Sequence, residues 1–298
     1  MGLEMEVNKK RVCVLLSTYN GEPYLSTQLN SLLEQEDVSL TILIRDDGSK
    51  DHTCKIIKKY ADFYPNIHWI QGENIGFVQS FWFLVNQADG FDYYAFCDQD
   101  DVWEKDKLSA AISLLNENQA MLYTSNVTSV NNDLELIQEK GFPFEGVLTY
   151  ADALQRPVLP GCTFVWNDLL QQELQKYKGE QVAHDWTVYV IASAIGQVVY
   201  DQKPHILYRI HGNNTIGIDS SFEKMKKKIK RFTSNQYKNT KSKIAQTILE
   251  TYELSEEKKK VTRYFANYRK HPLYFFCLMK YKEYRNINFI ILLLTRKV

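Results

Sequence analysis

Residues 91–108, FDYYAFCDQDDVWEKDKL, run from an apolar, aromatic segment straight into three carboxylates within four residues: Asp98, Asp100 and Asp101. Phe91, Tyr93, Tyr94, Ala95, Phe96 and Cys97 read as a buried strand, and the spacing of Leu108, Ile112 and Leu115 predicts a helix beyond it. The acids therefore sit at a strand end. Like charges this close raise one another's pKa unless something positive lies among them, so a counter-charge is implied. In open α/β sheets ligands bind outside the carboxyl ends of strands, and a divalent cation held by Asp98, Asp100 and Asp101 is the first assignment. A helix cap would need one acid, not three.

The same theme repeats upstream. Arg11 to Leu16 predicts a strand, STYNGEP a polar turn, and Leu25, Leu29, Leu32 and Leu33 a helix. Leu40 to Ile44 is the second strand, with RDDGSKDHT as its loop and Ile56, Ile57 and Tyr60 on the helix. Ile67 to Ile70 is the third, followed by QGENIGF and a helix through Phe83 and Leu84. Strands alternating with helices at short intervals predict an α/β fold, a mainly parallel central sheet with helices on both faces. Each strand exit carries polar or acidic residues: Ser17, Thr18, Tyr19 and Asn20; Asp46 and Asp47; Asn74 and Gly76; then the acid cluster. In a parallel sheet all four exits open on one side, so separated motifs build one cleft.

Downstream, Met121 to Ser125 predicts a strand, RPVLPGCTFVWN ends in a β-rich run, and HDWTVYVIASAIGQVVYD gives a helix from about Trp186 to Ala194, a stop at Gly196 and a strand at Gln197 to Tyr200. KPHILYRIHGNNTIG is a strand opening into a polar loop. Past Ser220 the chain reads as basic, aromatic-rich helices.

With 298 residues, 44% hydrophobic and 24% charged, the chain has room for a sizeable core plus an appendage. Net charge is zero but unevenly placed: residues 221–298 hold 20 Lys/Arg against 6 Glu, leaving an acidic body. A catalytic unit at 1–220 and a basic extension at 221–298 are therefore expected. Five scattered cysteines without a C-x-x-C pair argue against a disulfide framework or a zinc site and fit a reducing cytoplasm. MGLEMEVNKK lacks an apolar export segment, and the apolar runs PLYFFCLM and FIILLL are too short to span a bilayer.

Neither G-x-G-x-x-G nor a P-loop is present. A nucleotide can be held otherwise: Asp46 or Asp47 accepting from a pyrimidine N–H or a ribose hydroxyl, Tyr19 stacking on a base, and Asp98 and Asp100 holding Mg²⁺ or Mn²⁺ against a diphosphate. DDGS alone reads first as a turn closed by an Asx bond rather than as a base-binding site.

In order and spacing, LLSTYNGEPYLSTQLNSLLEQ, IRDDGSKDHT, GENIGF and CDQDDVWEKDKL resemble the inverting nucleotide-sugar glycosyltransferases of family 2, which have a GT-A fold. DQDDVW together with HDWTVY and YDQKPHILYRIHGNNTIG is similar to a bacterial subgroup assigned as rhamnosyltransferases of surface polysaccharide assembly. The resemblance spans about Arg11 to Gly217 and implies a donor carrying a nucleoside diphosphate, a rhamnose donor on thymidine diphosphate ahead of a hexose on uridine diphosphate. It implies that Thr18, Tyr19 and Asn20 line the nucleotide pocket and that Asp46 and Asp47 contact base or ribose, with Asp47 preferred for the base. Asp98 then lies near the ribose, Asp100 on the metal and Asp101 in support.

An inverting displacement needs a base opposite the leaving group. Asp185 resembles the acid of the family's "ED" motif, with His184 in place of the first residue; an N-cap on the helix from Trp186 is the alternative. Gly161 falls where the family has a glycine-containing acceptor loop, leaving room for a sugar, or is a plain turn glycine. His211 completes the metal shell or donates to the diphosphate, with Arg209 as a second cation. Gly76, His184 and Trp186 are grouped with the donor and acceptor contacts, although Trp103, Trp186 and Tyr189 read first as core.

The basic tail, FEKMKKKIKRF and the aromatic stretch after Tyr252, has the pattern of helices lying in a headgroup layer, which suits a lipid-linked saccharide acceptor and a place at the inner face of the cell membrane. Docking on the acidic body or on a second copy are the alternatives. Nucleic acid is not expected, since no binding motif accompanies the charge. A phosphohydrolase of the haloacid-dehalogenase type would carry its acids on the first strand, which here ends in Ser-Thr-Tyr-Asn. A non-catalytic scaffold would be expected to lack Asp100 or Asp185.

Overall fold

A computed structural model describes residues 9–181, 183–211, 240–285 and 290. The first half is a run of strand–helix units: β1 (Lys10–Thr18), α1 (Leu25–Leu33), β2 (Val38–Asp46), α2 (Thr53–Phe63), β3 (Ile67–Gln71), α3 (Phe77–Gln87) and β4 (Tyr93–Cys97). Val12 to Leu16 are all buried, as are all five residues of β4. Helices cover both faces of these strands, which is why their sequences are continuous apolar runs without alternation.

The chain continues through β5 (Val102–Trp103), α4 (Lys107–Leu114), β6 (Met121–Ser125), β7 (Thr128–Val130), β8 (Leu136–Gln138), α5 (Tyr150–Gln155), β9 (Val165–Asn167), α6 (Asp168–Lys176), α7 (His184–Ile195), β10 (Gln197–Asp201) and β11 (Ile206–Arg209). The central sheet has the order β10-β6-β9-β4-β1-β2-β3. β9 runs antiparallel to both β4 and β6, while the other pairings are parallel. Thr18, Asp46, Cys97, Ser125 and Asp201 thus end their strands on one edge. The reversed strand delivers its beginning to that same edge, and with it the 3-10 turn Gly161–Thr163. A second sheet, β5-β11-β7-β8, stands beside the acid cluster and aims the end of β11 at it.

Helices α8 (Thr240–Thr251), α9 (Glu256–Asn267) and α10 (Pro272–Leu278) follow. Ile244, Ala245, Ile248, Val261, Phe265 and Leu278 join one buried apolar cluster with Leu154, Val188 and Ile191 of α5 and α7. Tyr150 and Thr262 share a hydroxyl hydrogen bond of 2.8 Å, tying α5 to α9. The lysine-rich stretch 222–232, the loop 212–217 and all but Ile290 of the apolar run 289–294 lie outside the described residues.

The expected helix at Trp186 begins two residues earlier, at His184, with Ala183 as its N-cap. Asp185 is therefore in the first turn rather than at the cap, and the N-cap reading of it does not hold.

Candidate active site

Three loops meet at the carboxyl edge of the sheet. Asn20, after β1, takes a left-handed conformation (φ 49°), which Asn tolerates better than most side chains. Its N–H donates to Ser49 Oγ and its Oδ1 accepts from Lys50 N, both at 2.8 Å, stitching the first loop to the second. Gln99 stitches the first to the third: its Oε1 accepts from Thr18 Oγ1 (2.6 Å) and Tyr19 N (2.9 Å), and its Nε2 donates to Tyr19 O (3.2 Å). Thr18 is thereby buried, whereas Tyr19 keeps 41% of its surface open above the cleft.

The DDGS turn is drawn inward. Asp46 Oδ2 accepts from Gly48 N (3.2 Å) and Ser49 N (3.0 Å), while its Oδ1 has no hydrogen-bond partner among the described residues. Burial first, and the neighbouring Asp46 carboxylate second, push the Cys54 thiol up to about 11. Asp47 accepts from Ile75 N and Gly76 N, each at 2.9 Å, and pairs closely with Arg45. A buried carboxylate with three donors is a loop clamp, and Asp46 is fully buried as well, so both acids are enclosed in the turn. Gly76 enters through its N–H on Asp47, not through a sugar.

At the acid cluster the residues divide. Asp100 Oδ2 lies 2.8 Å from His211 Nε2, and the His211 ring stacks on Tyr24 (centroids 5.1 Å apart, 11° between planes). Arg209 is buried, with its N–H on Asp101 Oδ1 (3.1 Å), Nε–H on Asp100 O (2.9 Å), a close hydrogen bond to Asn132 O, and its guanidinium 5.0 Å from the Tyr24 ring centroid. It is a strut of the loop rather than a second cation facing the cleft. Asp101 is buried behind Asp100, and its Oδ2 has no hydrogen-bond partner among the described residues. Burial pushes Asp98 up to about 7, with Asp100 next and Asp185 third among its causes. The acid loop and α7 therefore share one field.

Asp185 stands above the 3-10 turn. A Cβ built on Gly161 would lie 2.7 Å from Asp185 Cβ and 3.2 Å from His184 Nε2. The room at Gly161 is thus filled by these two side chains, not left for a sugar. His184 lies flat on Phe81 (4.1 Å, 14°) and meets Phe96 and Phe77 edge-on at 5.0 and 5.9 Å. Burial lowers its pKa, Asp185 opposes the shift, and the ring stays neutral at neutral pH. Trp186 is buried, its Nε1–H donating to Ala153 O at 2.7 Å. Its ring is turned to α5, so it is a core residue and not a sugar contact, for the helix phase that faces Asp185 to the cleft faces Trp186 inward.

Gln99, Tyr24 and Lys107 belong to the site but were not singled out by their sequence context. Gln99 is the middle residue of the D-x-D spacing, where the pattern itself is silent. Lys107, at the start of α4, is fully buried with its Nζ 3.2 Å from the Trp103 ring centroid.

A parallel sheet with an acidic loop at its carboxyl edge and a facing carboxylate on a helix is the architecture of the GT-A glycosyltransferases. Residues 13–189 match the sequence profile "Glycosyl transferase family 2", and the chain belongs to that family. It is 33% identical to the dTDP-rhamnosyl transferase RfbG of Shigella flexneri over 78% of this chain and 84% of that one. Identity with the putative teichuronic acid biosynthesis glycosyltransferase TuaG of Bacillus subtilis is 29%, over 54% and 63% of the two chains. Among solved structures, S. aureus TarS 1-349 in complex with UDP-GlcNAc superposes with a TM-score of 0.57 at 19% identity, covering 93% of this chain and 77% of that one. The mannosyltransferase PcManGT of Pyrobaculum calidifontis, in complex with GDP-Man and Mn²⁺, gives 0.57 at 15% identity, covering 97% and 80%. These last two establish the fold. The chain is a glycosyltransferase.

Proposed function

We propose that the enzyme transfers a sugar, with inversion, from a nucleoside diphosphate to a saccharide hydroxyl, in a metal-dependent reaction whose donor is dTDP-rhamnose. The observation that carries the reaction is the opposition of Asp100, paired with His211, to Asp185 on α7, with Asp98 feeling the charge of both carboxylates. The donor rests on the relationship to RfbG.

Tyr19 offers its ring to the base, the turn built on Asp46 and Asp47 borders the base or ribose, and Asn20 shapes the loop between them. Two carboxylates and an imidazole are a donor set that suits Mg²⁺ or Mn²⁺, and Asp100 and His211, with Asp98 adjacent, would hold the ion. When bound, the cation supplies positive charge to the departing diphosphate. Asp185 takes the proton of the acceptor hydroxyl as that oxygen bonds to the anomeric carbon, and the carbon–oxygen bond to the diphosphate breaks with its electron pair leaving on the nucleotide. His184, neutral and wedged among phenylalanines, holds the first turn of α7 in place.

The acceptor is a lipid-linked or growing polysaccharide, met at the inner membrane face. On α10, Leu273 and Phe276 keep 75% and 66% of their surfaces exposed, three residues apart on one helix face, with exposed Lys270, Lys280 and Lys282 around them. No helix among the described residues is long and apolar enough to cross a membrane.

Thermal-shift titration of purified protein with thymidine, uridine and guanosine diphosphates, each with Mn²⁺, Mg²⁺ or chelator, tests the reading. Expected is stabilisation by thymidine diphosphate only when metal is present, absent in Asp100→Ala. Preference for another nucleotide would overturn the donor, and equal stabilisation in chelator would overturn the metal.

A further inference from the structure

Tyr24 is a half-buried aromatic that belongs to neither buried apolar cluster, nor to the partly buried residues packed against them. Its ring meets two side chains from the end of β11 instead: the Arg209 guanidinium, 5.0 Å from the ring centroid, and the His211 ring, stacked at 5.1 Å with 11° between planes. Residues two apart on an extended chain present their side chains on one face. Ile210 N donates to Val130 O at 2.8 Å, so the ladder runs one residue past β11, and Arg209 and His211 reach the same ring. The backbone of Tyr24 is fixed to the start of α1: its N–H donates to Gly21 O at 3.0 Å, and its carbonyl accepts from Thr27 N and Gln28 N at 3.0 and 3.1 Å. Its hydroxyl is 3.4 Å from Asn132 Oδ1, too long for a strong O–H···O bond. What Tyr24 offers is the face of its ring.

We propose that Tyr24 is a positioning residue: its ring fixes the plane of the His211 imidazole, so that Nε2 is held toward Asp100 and the pair is preformed for a divalent cation. The inference deepens the reading in which Asp100 and His211 hold the ion, and rests on it. His211 Nε2 already lies 2.8 Å from Asp100 Oδ2. An imidazole turns about two soft torsions, and a ligand that is ordered only when the ion arrives loses affinity through the freedom given up. Stacking on an aromatic face removes that freedom beforehand. Groups that orient a metal-ligating histidine are as much a part of its site as the ligand itself. Tyr24 does this through the ring face, and Arg209 against the same ring keeps it from swinging away. Tyr24 lies five residues after Tyr19, so the loop of the proposed nucleotide pocket also seats the imidazole. Donor pocket and ion site are thereby built on one loop.

Electron paramagnetic resonance of free Mn²⁺, titrated into the full chain without nucleotide, tests the role independently of turnover and of the donor. Tyr24→Leu should weaken Mn²⁺ affinity by about 10-fold, the order of effect of a group that orients a ligand. Tyr24→Phe keeps the stacked ring and should stay within about twofold of the wild type. In a His211→Ala background, Tyr24→Leu should add less than about twofold, since it acts through that imidazole. Unchanged affinity in Tyr24→Leu, or the same loss with and without His211, would overturn the role of Tyr24 and leave the ion assignment intact. Wild-type affinity in His211→Ala would overturn the ion assignment, and this inference with it. Tyr24 lies outside the core, so the leucine variant should fold; if it does not, Tyr24→Met, likewise without a ring, is read by the same outcomes.

Discussion

Gly161 and Asp185 are in such close contact that a methyl group added to the glycine would stand 2.7 Å from the aspartate Cβ, a separation that carbon atoms do not adopt. Backbone of the 3-10 turn thereby sets the height of the carboxylate over the cleft. Gly161→Ala should move Asp185 away from the acceptor hydroxyl. The expected result is a kcat lower by about 100-fold, since an ångström of misplacement at the reacting centre has that order of effect. Nucleotide diphosphate affinity, measured by calorimetry, should change less than twofold, because the donor loops lie across the cleft.

Asp185→Asn keeps the shape of the first turn and removes the proton acceptor. Loss of a general base lowers the rate by about 100- to 10,000-fold. With saturating acceptor the variant should retain metal-dependent donor binding while turnover collapses. Retention of more than a tenth of wild-type kcat would assign the base elsewhere.

Gln99 cross-ties two strand exits through its side-chain amide, and the two kinds of hydrogen bond can be separated. Gln99→Ala leaves Thr18 Oγ1 and Tyr19 N without their acceptor, at a cost of about 1–3 kcal/mol for buried groups. With Tyr19 in the proposed nucleotide pocket, the donor Kd should rise by about 10-fold. Gln99→Glu keeps both accepted bonds, so its melting temperature should stay closer to wild type than that of Gln99→Ala, while its added negative charge beside Asp98 and Asp100 should weaken binding of the anionic donor on its own account.

The sheet was legible because β1, β4 and β6 are buried on both faces along most of their length, so apolar runs interrupted by polar turns mark them one by one. β9 was visible only as a β-rich run: nothing in three residues, Val165–Asn167, encodes that they enter the middle of the sheet in reverse. That reversal brings Gly161 to the cleft. At the site, spacing identified which loops carry the acids but not how each carboxylate is held. Asp46 and Asp47 differ by one position along an extended backbone, which sends their side chains to opposite sides, and the backbone amides of Ile75 and Gly76, distant in sequence, decide the outcome. Lys107 carried no signal in the sequence, since burial of a lysine depends on what folds around it, here the Trp103 ring.

Trp186→Phe separates packing from sugar contact. The phenyl ring fits the same buried region but loses the 2.7 Å bond from Nε1 to Ala153 O, leaving that carbonyl unpaired. Stability in urea should fall by about 1–2 kcal/mol, with donor and acceptor KM unchanged. A residue stacking on sugar would show the reverse, a raised KM and little change in stability.

His184 imposes a pH dependence of definite sign. Its pKa in the folded protein lies below the ordinary 6.5, with burial among phenylalanines as the main cause and the Asp185 charge opposing it. Above pH 6.5 the ring is neutral folded or unfolded and makes no difference. As pH falls below 6.5 the unfolded chain binds a proton there that the folded chain resists, so stability declines until the lowered folded pKa is reached. His184→Phe fills the same aromatic cage and cannot bind the proton. Chemical denaturation at pH 7.5 and pH 5 should therefore show a smaller acid-induced loss in the variant than in the wild type, all other titrating groups being common to both. An equal loss would mean that His184 charges inside the cage. It would then pair with Asp185 and weaken that carboxylate as a base, so the stability measurement also reports on the protonation pattern that the transfer reaction requires.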